Sequence, residues 1–277
     1  MASQIERKLI ENYGYNKKVS ITKLNETRDA DLNLLYEFVL NNVFINYTIK
    51  QWGVTNIDEL DPSVFQRVPI YISRDNRYFQ DKYQGMPKHG YTKIFENILD
   101  HKNIKLLLNT DYREVMELKN NKIYFFDRLF SGKVIFTGKI DELFNYEFGH
   151  LPYRSLLFKY ETINRSHFQE VAVVNYPNNF DYTRITDFKH FMGKDSDKTT
   201  IAREYSIEYH HEIPGRDTPF YIIPNKENFD LYEKYNSKAK QINNLYLIGR
   251  LANYTYYNMD EVVARSLKLF GDEFSNL

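Results

Sequence analysis

Cysteine is absent from the 277 residues, which excludes disulfides, a thiolate nucleophile and the sulfur-ligated zinc and iron–sulfur sites. An excess of either charge is missing too. Lys+Arg and Asp+Glu number 37 each, so no basic surface marks a nucleic-acid partner and no acidic excess marks a solvating tail. No apolar run approaches a membrane span, and the first ten residues carry charges where a signal peptide needs an apolar stretch. The expectation is a soluble cytoplasmic protein with no nucleic acid and no membrane span. The G-x-G-x-x-G fingerprint, the P-loop, the H-E-x-x-H zinc helix and the G-x-S-x-G elbow are also absent.

Aromatic side chains are abundant: 24 tyrosines and 20 phenylalanines stand beside a single tryptophan. Tyrosine offers a flat face with a polar tip for stacking on bases or sugars, but most of these rings are expected in the core. At this length and 42% hydrophobic content the chain can bury a substantial core, as one large domain or two smaller ones.

Ile5, Leu9, Ile10 and Tyr13 share one helical face, and Gly14 sits where a C-cap glycine would. A second helical pattern begins near Asp31 and runs toward Tyr47 and Trp52. From Arg67 the texture shifts to short apolar stretches such as Val68-Pro-Ile-Tyr-Ile72, then the turn-rich loop Tyr83-Gln-Gly-Met-Pro-Lys-His-Gly90. Thr92 is expected to cap a helix, Ile104–Leu108 to form a strand, and Asn120-Asn121 to turn a hairpin into Ile123-Tyr-Phe-Phe126. Lys133–Gly138 and Ile140–Phe144 read as a strand, turn and helix. Residues 153 to 223 hold several strand patterns best joined as an antiparallel sheet. The end reads as a helix from Glu227 to Lys240, the strand Leu245–Ile248, a turn at Gly249-Arg250 and a helix from Asn258. Ligands meet such sheets at the carboxyl ends of strands, which makes Gly249 and Arg250 site candidates.

Arg67 and Arg184 lie in aromatic or β-rich surroundings rather than in charge runs, so each guanidinium needs an anionic or carbonyl partner. From the pattern alone, pairing with one of the chain's own carboxylates is favoured over binding a ligand. His210-His211-Glu212 is the densest histidine cluster. Neighbours in a strand point to opposite faces, so these residues are not expected to share a metal.

The run Tyr47-Thr-Ile-Lys-Gln-Trp-Gly53 resembles the Y-T-x-K-Q-W-G signature of the bacterial UDP-galactopyranose mutases. Collinear resemblances follow at Arg67-Val-Pro-Ile, Asp75-Asn-Arg-Tyr-Phe79, Tyr83 to Thr92, Ile135 to Asp141, Tyr153-Arg-Ser155, Tyr182-Thr-Arg-Ile185 and Gly249 to Met259. Eight segments in order make chance a poor explanation. The family's N-terminal βαβ segment with its G-x-G-x-x-G is not among the matches.

The resemblance implies an isomerase that interconverts UDP-galactopyranose and UDP-galactofuranose in polysaccharide and cell-wall precursor metabolism, with N5 of reduced FAD as nucleophile at the anomeric carbon. It implies an α+β and α/β fold. Residues 1–66 would form a helical domain, 67–98 with 150–244 an antiparallel-sheet substrate domain, and 99–149 with 245–277 part of a Rossmann-like FAD-binding domain. Arg67 and Arg184 would clamp the diphosphate, with Trp52 near the sugar on a mobile loop. Tyr47 would stack on uracil, while Tyr78, Tyr221 and Tyr256 would donate hydroxyls to the phosphates. Arg154 and Arg250 would lie on the sugar and flavin sides; Gly249, Arg250, Asn258 and Met259 would face the cofactor. Two departures stand out, since Asn258 replaces the family's usual aspartate and Lys88-His89 replaces a more glycine-rich turn. With the dinucleotide motif missing, the FAD site is expected to be incomplete. A partner chain that binds FAD, or a homo-oligomer, would then complete it. The alternative is a non-catalytic UDP-sugar-binding module or a partner of a galactofuranosyltransferase.

Overall fold

In the computed structural model, which describes residues 1–61, 69–193, 196–211 and 217–275, the chain divides into two compact units. Met1–Ile98 with Leu156–Ile207 make the first, and Leu99–Ser155 with Glu208–Leu277 the second. The helices at the start and the sheet segments of 156–207 therefore fall in one unit, a grouping different from the three-part division expected above.

Helix α1 (Ala2–Tyr13) ends at Gly14, whose φ of 87° a residue with a Cβ rarely adopts. Strand β1 (Lys17–Val19) leads into α2 (Ile21–Asn25) and α3 (Ala30–Val39). The Asp29 carboxylate caps α3 by accepting from the N–H groups of Asp31 and Leu32. Lys8 of α1 pairs with Asp29 at 2.7 Å and Asp31 at 2.6 Å, holding α1 to the start of α3. The helical path runs on through a π-helical stretch at Leu40–Ile45 into α4 (Asn46–Trp52). Gly53 stops it in the left-handed region at φ 66°, its N–H bonded to Ile49 O. Strand β2 (Ile70–Ile72) pairs antiparallel with β1. Helix α5 (Gly90–Leu99) begins two residues before Thr92, which is therefore not its cap.

In the second unit, α6 (Tyr112–Val115) precedes the hairpin of β3 (Met116–Lys119) and β4 (Lys122–Phe125), with β5 (Arg128–Leu129) alongside. Asn120 and Asn121 turn that hairpin with φ of 49° and 58°, the positive values a type I′ turn requires. The expected strand at Ile104–Leu108 does not form. It has no ladder partner among the described residues, and Leu106, Leu107 and Leu108 are 56%, 56% and 71% exposed; without pairing or cover, an apolar run gains nothing from extension. Strand β6 (Val134–Phe136) and helix α7 (Ile140–Leu143) follow.

Strand β7 (Tyr153–Ile163) starts in the second unit and continues in the first. There it joins β8 (Val173–Asn175), β9 (Arg184–Asp187), a short helix α8 (Lys189–Met192) and β10 (Thr199–Glu208). The antiparallel sheet order is β7-β10-β9-β8. Glu204 of β10 lies opposite Arg184 of β9, and Ile201 opposite Asp187. Back in the second unit, β11 (Tyr221–Ile222) pairs with the start of β7, placing Tyr221 opposite Arg154. Helix α9 (Lys226–Ala239) begins under an Asn225 cap, β12 (Leu245–Leu247) runs parallel to β6, and α10 (Met259–Glu273) follows.

The second unit's core packs Ile140, Leu151, Tyr153, Tyr235 and Tyr254 together. Tyr235 and Tyr254 are fully buried. Their hydroxyls donate to the carbonyls of Gly149 and Pro152, both at 2.6 Å, so each ring adds apolar area without stranding its polar tip. No helix among the described residues is long and apolar enough to cross a membrane.

Candidate functional site

Within the first unit the geometry gathers around Arg184. Its Nε lies 3.2 Å from Glu204 Oε1, across the β9–β10 pair, and its Nη2 lies 3.4 Å from the Tyr47 hydroxyl. The Glu204 side chain is 9% exposed and that of Arg184 30%. Burial raises the Glu204 carboxyl above its ordinary range, against the opposing pull of Arg184 and a hydroxyl contact from Thr183. Burial likewise raises the Tyr47 phenol, opposed by the same guanidinium. Tyr47 and Arg184 stand 137 positions apart in the chain, so only the packing of α4 near β9 joins them. The sequence alone does not single out Glu204, because alternation along β10 sets it on the polar face with Thr200, Ser206 and Glu208, yet the middle of the strand is covered on both faces.

Lys50 explains how α4 is held. Its ammonium donates to the carbonyls of Tyr176, Phe180 and Tyr182, the last two at 3.0 Å, and so ties the helix to the segment that leads into β9. Ser206 Oγ donates to Gln51 O at 2.6 Å, fixing α4 to β10 as well. Trp52 occupies the last helical position of α4 and is 8% exposed. The expected loop position for this tryptophan is therefore corrected: helix propagation through the π-helical stretch carries it into the packed face. Tyr78 is 71% exposed and sits edge-on to Phe79. Arg67 lies outside the described residues.

Asp187 closes β9 from the other end. Fully buried, it accepts from Phe168 N–H at 2.7 Å, from the Thr199 hydroxyl, and more distantly from Gln169 and Lys189 N–H groups. Burial alone would raise its carboxyl, but these donors outweigh it and hold it below the ordinary carboxylate value.

In the second unit a different group assembles. Arg250 donates from Nε to Tyr257 O at 2.7 Å, and its guanidinium lies 4.2 Å from the Tyr256 ring centroid and 5.7 Å from that of Tyr221. The rings of Tyr221 and Tyr256 are nearly parallel, 5.8 Å apart. Arg154 joins through the pairing with Tyr221; burial lowers its guanidinium, with Glu208 opposing. The sequence candidates Arg154, Tyr221, Arg250 and Tyr256 thus belong to one cluster.

The parallel pair β6 and β12 ends side by side in glycine-bearing turns, at Gly138 and Gly249. Gly249 has a φ of 102°, and a Cβ there would still meet the Thr137 carbonyl only at 3.9 Å, so its backbone conformation rather than crowding calls for glycine. Asn258 has a plain local role. It is the N-cap of α10 and closes a capping box in which its N–H donates to Glu261 Oε2 at 2.6 Å. A carboxylate already occupies that helix start. Met259 follows it, 65% exposed.

The chain as a whole is similar to known proteins. The model of the UDP-galactopyranose mutase family matches residues 42–256. The UDP-galactopyranose mutase of Mycoplasma genitalium is 35% identical over 95% of this chain and 66% of its own length. A probable UDP-galactopyranose mutase of Klebsiella pneumoniae is 36% identical over 92% of this chain and 62% of its own. A dTDP-fucopyranose mutase of Escherichia coli is 32% identical over 95% of this chain and 67% of its own. The chain spans just under two thirds of the first two relatives. A crystal structure of reduced UDP-galactopyranose mutase superposes with a TM-score of 0.59 at 13% identity, covering 99% of this chain and 72% of that one, a likeness of fold.

Proposed function

The chain belongs to the UDP-galactopyranose mutase family, and on that premise we propose that it interconverts UDP-galactopyranose and UDP-galactofuranose. The observation that carries the reading is the meeting of Tyr47 with Arg184. A tyrosine ring whose hydroxyl tip meets a guanidinium matches a nucleoside diphosphate, whose flat base and anionic phosphates are also neighbours. Arg184 would hold the diphosphate together with Arg67, neutralising charge that grows as the anomeric bond breaks. The Glu204 contact at Nε keeps the guanidinium in one orientation. Tyr47 would stack on the pyrimidine; Tyr78, exposed in the same unit, would reach the phosphates, and Trp52 would support the sugar side from within α4.

In the second unit, Arg154, Tyr221, Tyr256 and Arg250 are assigned to ligand contacts, and the two glycine turns to part of a flavin. The fit is partial. Of the two turns that follow the parallel strands, the Gly249 turn leaves room for a flat cofactor at the carboxyl ends, whereas the Phe136 ring lies over Gly138. The start of α10, by contrast, carries the Glu261 carboxylate and so repels a phosphate. Asn258 and Met259 would therefore face the neutral part of the cofactor, and the pyrophosphate would need backbone donors of a G-x-G-x-x-G turn that these 277 residues do not contain. Reduced FAD, when bound, supplies the nucleophile for the anomeric carbon. A chain bearing such a turn would complete the site, in the cytoplasm where nucleotide sugars for cell-wall polysaccharide are made.

Trp52, the sole tryptophan, gives a fluorescence signal for UDP titration. Arg184→Ala and Arg67→Ala should each weaken UDP about ten- to a hundredfold, the range for a hydrogen bond to a charged group. Unchanged affinity in both would refute the clamp. dTDP run in parallel separates the two sugar-nucleotide classes of the relatives. Turnover is then assayed with dithionite, FAD and the N-terminal segment of a related mutase. UDP binding without turnover in that mixture would favour a non-catalytic module.

A further inference from the structure

Three side chains from separate segments of the second unit converge away from the groups discussed so far. Asp141 lies on α7, His150 in the loop before β7, and His211 just beyond β10; one ligand atom from each lies within 4.8 Å of the others. The imidazole rings of His150 and His211 are 4.3 Å apart, and Tyr146 packs against both. Asp141 is fully buried. Its Oδ2 accepts from Leu151 N–H at 3.0 Å, while its Oδ1, shielded from solvent, has no hydrogen-bond partner. A buried carboxylate oxygen without a donor costs about 1–3 kcal/mol or more, and two imidazoles face the same space.

We propose that Asp141, His150 and His211 form a binding site for a first-row divalent transition metal ion such as zinc. Two imidazole nitrogens and one carboxylate oxygen suit that class, and the set leaves a fourth tetrahedral position for water. Around a zinc ion with bonds of roughly 2.0–2.2 Å, ligand atoms sit about 3.4 Å apart. The present spread therefore has to close by at most about 1.4 Å, and a side-chain rotation of exposed His150 supplies that movement. His150 also lines a solvent-open cavity of about 630 Å³ whose charged lining, Glu227 and Asp230 with Lys226 and Lys234, is balanced, and which gives an ion a route from solvent.

Besides Lys226 and Lys234 of the cavity lining, Lys139 is a cation that opposes binding. Its ammonium is engaged by the Tyr209 hydroxyl at 2.8 Å and lies 3.6 Å from Glu142, so its charge is partly neutralised. His210 does not belong to the set, because its Nδ1 faces Asp217 Oδ2 at 2.8 Å. Adjacent residues thus diverge, and the second imidazole comes from position 150 rather than 210. An ion here would join the start of β7 to the end of β10 and to α7, acting as a clamp on three segments.

The experiment uses the full chain after chelator treatment, titrated with Co²⁺ and then Zn²⁺. One equivalent of Co²⁺ should bind saturably with visible absorption of low-symmetry coordination, and Zn²⁺ should displace it. His150→Ala and His211→Ala should each weaken binding at least tenfold, as should Asp141→Asn. His190→Ala, which alters the unrelated His167–His190 ring pair, should bind as the unmutated chain does. Because His150 is exposed, its variant keeps the fold, checked by circular dichroism. Zinc should raise Tm in the unmutated chain and not in His150→Ala. Absence of saturable binding, or binding that survives in both His150→Ala and His211→Ala, would overturn the proposal.

Discussion

Replacing Arg184 by methionine keeps the aliphatic stem and removes the guanidinium, with its charge and its contact to Tyr47, and so tests what the Arg184–Glu204 pair contributes. At 3.2 Å and an effective dielectric near 20 the Coulomb attraction is about 5 kcal/mol, but Arg184 is 30% exposed and solvent screening cuts that figure substantially. A firmer bound comes from protonation. Left without its partner, Glu204 can take up a proton instead of staying charged. From an ordinary value of 4.5, doing so at pH 7 costs at most about 3.4 kcal/mol, at 1.36 kcal/mol per unit. We therefore expect Arg184→Met to lose about 2–3 kcal/mol at pH 7. At pH 5 the same ceiling is about 0.7 kcal/mol. The sign follows from linkage. The folded Glu204 carboxyl is already raised, so native stability falls as pH climbs through 4.5 toward the folded value and levels off above it. Removing Arg184 raises the folded value further and extends that falling limb upward. Urea unfolding at pH 5, 6 and 7 reads the effect directly, and Arg184→Met with Glu204→Met together should recover most of the loss, since a buried pair replaced whole is often neutral. An equal loss at pH 5 and pH 7, with no recovery in the double variant, would refute an electrostatic origin and point to packing.

Asp187→Asn should cost about 2–4 kcal/mol at pH 7, because the amide cannot accept from all the donors that surround the buried carboxylate. The Asp187 carboxyl is held low, so its contribution is present above 3.8 and disappears as pH falls through the lower folded value; acid titration of the variant should show a flatter limb below pH 4. Lys50→Met removes three donations to carbonyls and should cost about 2–4 kcal/mol, read as a fall in Tm of roughly 4–16 °C. Asn258→Asp should leave both stability and UDP affinity nearly unchanged, since aspartate caps as well as asparagine, whereas Asn258→Ala should cost about 1 kcal/mol in urea unfolding.

Much of this fold is visible in the chain because local chemistry decides it. Gly14 and Gly53 end helices in the left-handed region, Asn120-Asn121 turn a hairpin, and the patterns at Lys133–Gly138 and Leu245–Ile248 became the strands of a parallel pair. Where the reading failed, the deciding factor was not local. Ile104–Leu108 has the composition of a strand but no neighbour to pair with among the described residues. Trp52 read as a loop residue by resemblance, yet a helix that continues through a π-helical stretch carries it inward. His211 could not be joined to Asp141 and His150 from the sequence, since only the meeting of three distant segments makes the cluster.

The Y-T-x-K-Q-W-G run shows why a motif overstates the number of residues that touch a ligand. Of its members, Tyr47 meets the guanidinium of Arg184 through its hydroxyl. Lys50 spends its charge on three carbonyls of its own chain, Gln51 offers its carbonyl to Ser206, Thr48 and Trp52 are buried, and Gly53 takes the left-handed turn that ends the helix. Each of these sets the position of α4 against β9 and β10. A loss of activity on changing any of them would follow from moving Tyr47 relative to Arg184, and so would appear in Tm as well as in UDP affinity. Changing Tyr47 to phenylalanine removes only a hydroxyl at 3.4 Å from the guanidinium, so Tm should stay within about 1–2 °C. If UDP affinity also stayed unchanged in Tyr47→Phe but fell in Tyr47→Ala, the ring face rather than the hydroxyl would be the contact, as stacking on a base requires.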